Sequence, residues 1–223
     1  MGPVGCAGPP EWPSPVRRSG RRPGRAPPPR RARADRLPCM RLTSVLANAG
    51  LVLWAGYELL LRHRDRTAAS WRAGAADRGS TALLPAAFAG ALLLGALLPG
   101  ALPAAARWAG VGAVAAGLLL RAWGMRTLGA YYTRTLRTAP GQRVVRTGPY
   151  RLIRHPGYAG SLLVWTGWAL GLGKGLAAVA VAVLLGAAYG WRIAAEERIL
   201  LAVFGEEYAE YRRRTKRLLP YVY

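Results

Sequence analysis

Residues 148–170 read GPYRLIRHPGYAGSLLVWTGWAL. A turn-rich, basic entry carrying Arg151, Arg154 and His155 runs straight into an apolar stretch that opens at Pro156. Proline fits the first position of a helix, where its missing N–H is not needed, so a helix is expected to start there. Further on, Glu196 and Glu197 place two carboxylates where the last apolar segment ends. Polar groups gathered at one end of apolar helices suit a site that brings a water-soluble molecule to a lipophilic one.

Working outward, a helix that crosses the hydrocarbon core needs ~20 mostly apolar residues. Five stretches are expected to do so: 42–61, with Asn48 and Glu58 as polar exceptions, 82–98, 104–124, 156–170 and 175–201. Residues 99–103 form a tight turn, and 171–175 join the last two helices as a hairpin. The expected fold is therefore all-α, an integral membrane bundle of about five transmembrane helices, with a basic loop at 121–157 and a C-terminal tail at the membrane interface. Gly167/Gly171 and Gly186/Gly190 give small-residue spacing on each arm of the hairpin, the pattern that lets membrane helices approach closely.

The chain of 223 residues is 52% hydrophobic yet carries a formal charge of +22, which argues against an ordinary soluble domain. The charge is segregated. Residues 62–80 hold five arginines, 121–157 hold eight, and 191–223 hold seven Lys+Arg. The positive-inside rule places these segments and the C-terminus in the cytoplasm, because the opposite turns carry only Lys174. Residues 1–41, with ten arginines, break that pattern. Residues 1–39 are rich in Pro, Gly and Arg and are expected to be a disordered tail. The reading places the natural start at Met40, with 1–39 as an extended gene model, and this removes most of the conflict. Three membrane helices then occupy 40–125. The abundance of Ala, Gly and Arg reads as GC-rich codon usage and points to a bacterial cytoplasmic membrane.

Cys6 and Cys39 both lie in the tail, and the histidines are His63 and His155, so no metal site or disulfide framework is expected. Most arginines of 121–157 read as lipid-facing. The expected start of a helix at Pro156 is a candidate anion site, since free N–H groups and the helix dipole both favour negative charge there. His155 alone reads equally as a cap or an interfacial residue. Arg192 and Glu196 are four apart and share a helix face, which fits either a simple ion pair or a site.

In order and spacing, Gln142-Arg143-Val144-Val145, Thr147-Gly148-Pro149-Tyr150, Arg154-His155-Pro156-Gly157-Tyr158, Arg192 to Glu197, and Phe204-Gly205-Glu206-Glu207-Tyr208 resemble the isoprenylcysteine carboxyl methyltransferase and phospholipid methyltransferase superfamily of integral membrane enzymes. The resemblance covers 126–220. It implies a methyltransferase core over 126–223 and S-adenosyl-L-methionine as cofactor. It places Gln142, Arg143, Val144, Val145, Tyr150, His155, Pro156, Gly157, Tyr158 and Glu196 at that cofactor and Arg192 at the acceptor, with the active site on the cytoplasmic face. The favoured acceptor is a lipophilic carboxylate on a small molecule or a lipid-modified substrate. A lipid amine or a thiol is the alternative, ahead of a sterol-reductase-like NADPH enzyme or a non-catalytic protein binding anionic lipid. Membrane lipids are expected partners and nucleic acid is not. A carboxylate acceptor is already a nucleophile, so no catalytic triad is needed; alignment, desolvation and preorganised charge would suffice.

Overall fold

In a computed structural model, residues 36–64, 80–129 and 144–220 are described. They form six α-helices: α1 (Arg36–Arg64), α2 (Ser80–Leu97), α3 (Ala104–Leu128), α4 (Pro156–Gly171), α5 (Gly175–Phe204) and α6 (Glu206–Arg214), with a 3-10 turn at Gly148–Arg151. Among the described residues the one extended feature is an isolated bridge between Ile153 and Lys216. The starting positions of 1–35, and the expected site residues Gln142 and Arg143, lie outside the described residues. Helix α1 begins at Arg36, within the segment expected to be tail.

Each expected span is a helix, but they are not equivalent. Three, within α1, α3 and α5, are long and apolar enough to cross a membrane, and α2 contributes the shorter apolar run Leu83–Leu97. Helix α4 has 16 residues, ~24 Å at 1.5 Å per residue. The reason is its position. It packs against α1, α3 and α5, and most of its residues are buried in protein. Its Gly, Ser and Trp content therefore answers to packing against protein, whereas α1 presents Val45, Val52, Leu53 and Leu60 outward as a lipid-facing helix does.

The α3–α4 contact is built on glycine. A Cβ at Gly117 would lie 2.5 Å from the Gly160 carbonyl oxygen, and one at Gly167 would lie 2.6 Å from the Gly110 oxygen. Both members of the expected Gly167/Gly171 pair sit at close helix contacts, since a Cβ at Gly171 would lie 2.6 Å from the Ala47 side chain of α1. The Gly186/Gly190 pair does not, since a Cβ at either position meets nothing within 4 Å.

Buried polar groups join the helices in pairs. The Trp54 indole donates to the Ser161 hydroxyl at 3.0 Å, and Trp168 donates to the Asn48 oxygen at 2.9 Å, which explains the polar exception in α1. At one end of the bundle, Arg107 reaches Thr43 and Ser44 (2.9 and 2.8 Å), and the Lys174 ammonium caps α2 through the Gly95 and Ala96 carbonyls (2.5 and 3.1 Å). At the other end α5 stops at Gly205, φ +51°, a left-handed position that glycine adopts without strain. This lets α6 fold back. It opens with Glu206 and Glu207 and closes with Arg212, Arg213 and Arg214, in the sense that suits the helix dipole.

Candidate active site

The residues after α6 return beneath α4. The Arg154 N–H donates to the Lys216 carbonyl at 2.8 Å, and the His155 N–H to the Arg217 carbonyl at 3.0 Å. The segment entering α4 is thus held in register by the tail. The Tyr211 hydroxyl donates to the Tyr150 carbonyl at 2.8 Å. Burial pushes the Tyr211 phenol up to about 12, so it remains a donor at neutral pH.

Glu197 is the centre of this arrangement. Its side chain is 3% exposed. Arg154 donates to one carboxylate oxygen at 2.8 Å, and Arg217 to the other at 3.3 Å. The Arg212 guanidinium lies at 3.7 Å and the His155 ring at 3.4 Å. Arg154 also donates to the Arg212 and Thr215 carbonyls. Burying a carboxylate is costly unless it is paired and hydrogen-bonded, and here both oxygens are.

One residue earlier, and about 100° round the helix, Glu196 faces a cleft between the helices. The Tyr158 hydroxyl donates to Glu196 at 2.9 Å, and a His155 nitrogen lies 4.0 Å from the same oxygen. His155 stacks on Tyr158, and Tyr158 on Tyr189, with ring centroids 5.7 and 5.0 Å apart. Arg192, one turn before Glu196, is buried and also lines the cleft.

Five of the expected site residues line this cleft: His155, Gly157, Tyr158, Arg192 and Glu196. Pro156 is fully buried at the start of α4 and Tyr150 is buried under Tyr211. Val144 and Val145 are half-buried in the segment leading to the 3-10 turn. None of these four is among the cleft-lining residues.

The far wall comes from helices in which the sequence shows no motif. Trp54 and Glu58 of α1, Phe88 of α2, and Arg121 and Met125 of α3 all line the cleft. Glu58 and Arg121 form a buried ion pair, and Arg121 also donates to the Gly157 carbonyl at 2.7 Å. Arg121 is therefore no lipid-facing loop residue. It is helical, and it ties α1 and α3 to the start of α4. A lone carboxylate in an apolar span, with an arginine at the end of another, is the signal that points to this pair.

Fold and cleft together define a helical integral membrane protein whose charged site lies at one end of the bundle. Residues 110–202 match the model of the isoprenylcysteine carboxyl methyltransferase (ICMT) family, over the stretch that carries the motifs from Gln142 to Glu197. The match begins earlier than 126, taking in the α3 glycine seam, and ends before the tail. A "Probable protein-S-isoprenylcysteine O-methyltransferase" of Oryza sativa subsp. indica is 32% identical over 117 residues, 52% of this chain and 61% of that protein. "Protein-S-isoprenylcysteine O-methyltransferase B" of Arabidopsis thaliana is 31% identical over 115 residues, 51% of this chain and 58% of that protein. The chain thus spans about three fifths of the length of these relatives. The solved structure of the eukaryotic intramembrane Ras methyltransferase ICMT superposes with a TM-score of 0.50 at 24% identity, over 52% of this chain and 43% of that one, a likeness of fold.

Proposed function

We propose that the chain is a membrane methyltransferase that uses S-adenosyl-L-methionine to methylate the carboxylate of a lipophilic acceptor, an isoprenylcysteine above all. The observation that carries this reading is the arrangement of Arg192 and Glu196 on one face of α5, opening into the same cleft as His155 and Tyr158. The cofactor is a zwitterion with an adenine ring, and the donor set suits it. Glu196, 30% exposed, offers a carboxylate to an ammonium or to ribose hydroxyls. His155 and the N-terminus of α4 suit a carboxylate, and Tyr158 and Tyr189 offer ring faces.

When bound, the cofactor supplies a methyl group on a sulfonium, an electrophile that a carboxylate oxygen attacks without needing a base. The protein's part is to hold and to dry. Arg192 presents a planar donor pair to the acceptor carboxylate. The Glu58–Arg121 pair keeps the start of α4 fixed, so His155 and Tyr158 keep their places. Trp54, Phe88 and Met125 give the acceptor's apolar part a wall. The basic end, with α6 and the tail, faces the cytoplasm in this reading, in accord with the positive-inside pattern.

Two substitutions test the division of labour. Glu196→Gln is expected to weaken equilibrium binding of S-adenosyl-L-methionine by ~1.5–3 kcal/mol, the scale of a charged hydrogen bond. Arg192→Lys keeps the charge but loses the two-point grip, so cofactor binding is retained while turnover collapses. Parallel loss of cofactor binding in both variants contradicts separate cofactor and acceptor roles.

A further inference from the structure

A second recess lies on the side of α5 away from the cleft. Trp191, Glu197, Arg198 and Leu201 line it from α5, Arg212 from α6 and Arg217 from the tail. Three guanidiniums and one carboxylate line it, and that carboxylate is already bonded to Arg154. The recess is therefore cationic. The Arg212 and Arg217 side chains stay 36% and 31% exposed while lying against Glu197, so both remain accessible from the recess side. Arg198 is exposed at the rim.

The apolar surface beside the recess is continuous with it. Val179, Val183, Trp191, Ala194, Arg198 and Leu201 fall on one face of α5 at helical spacing. Val179, Val183 and Trp191 are 63%, 67% and 53% exposed. From Val183 to Arg198 the helix rises ~22 Å, enough for an acyl chain to lie along it. Gly186 and Gly190 have open space beside them and add no bulk to this side of the helix.

We propose that this recess binds the phosphate of an anionic phospholipid, with an acyl chain lying along the Val183–Trp191 face of α5. Three observations support the assignment. Guanidiniums grip phosphate oxygens two at a time. Basic pockets beside membrane helices on a cytoplasmic face match anionic headgroups. An indole at the junction of the charged and apolar parts sits where membrane proteins place tryptophan. The lipid would also bridge α5, α6 and the tail from behind the cleft, because Arg217 belongs to the segment that pairs with His155. The acceptor site lies on the opposite side of Glu197, so this lipid is a bound component and not a substrate.

The test uses the purified full chain in detergent, titrated with dilauroyl phosphatidylglycerol or dilauroyl phosphatidylcholine and followed by native mass spectrometry. Wild type is expected to retain one phosphatidylglycerol in preference to phosphatidylcholine. Arg198→Gln/Arg212→Gln is expected to lower that retention by about tenfold. The exposed single variant Arg198→Gln shows a smaller loss in a protein whose melting temperature is unchanged, which keeps the test readable if the double variant folds poorly. Equal retention of the two lipids overturns the proposal, as does equal retention by wild type and the variants. Displacement of the lipid by millimolar inorganic phosphate alone overturns it too, since that marks a free-anion site.

Discussion

At the scale of single residues, the adjacent glutamates divide the site between them. Glu196 opens into the cleft, while Glu197 is buried beneath it and gathers Arg154, His155, Arg212 and Arg217. Removing one partner from a buried ionic cluster leaves the others uncompensated and costs ~3–5 kcal/mol. Glu197→Gln is therefore expected to lower the melting temperature in detergent sharply. Glu196→Gln, half-open to the cleft, is expected to leave it almost unchanged. Equal melting temperatures for the two variants contradict this division. The sequence shows both carboxylates but not which one turns inward. Neighbours on a helix point ~100° apart, and the choice is made by α6 and the returning tail, which set Arg212 and Arg217 against Glu197. Glu58 and Arg121 were legible only as a polar exception and as a member of a basic run, because they are 63 residues apart and meet only in the fold.

At the scale of elements, glycine spacing marks two candidate helix contacts and the packing uses one. Adding a methyl group at Gly117 or Gly160 drives it into backbone of the facing helix at 2.5–2.7 Å, where no side chain can give way. Gly117→Ala is expected to destabilise the bundle by ~1–3 kcal/mol, the range for an overpacked contact. Gly186→Ala meets open space and is expected to be neutral or stabilising by up to ~1 kcal/mol, since alanine holds a helix better than glycine. Unfolding in mixed micelles by increasing SDS compares the two, and destabilisation by Gly186→Ala would contradict the lipid-facing assignment. Hydropathy found all five helices because apolar length is a local property. The sequence does not show that α4 is enclosed by the other helices, because burial against protein and exposure to lipid both read as apolar length.

At the scale of the whole molecule, charge is sorted along the bundle. One end is clamped by Arg107 and Lys174, and the other carries the cleft, α6 and the returning tail. The described parts of the motifs that resemble the ICMT family map to that second end, so the location of the candidate site is legible in the sequence before its walls are. The walls come from α1, α2 and α3, whose apolar side chains are interchangeable in pattern and informative only once packed. In the proposed function this end of the molecule transfers a methyl group to a carboxylate. Incubation of the purified full chain with methyl-labelled S-adenosyl-L-methionine and an S-prenylated cysteine bearing a free carboxylate tests it most directly. The expected product is a lipid-extractable label that mild base releases as volatile methanol, as an ester must, and it is lost in Arg192→Lys. Base-stable label on the acceptor, or no transfer by a wild-type protein that binds the labelled cofactor, would contradict it.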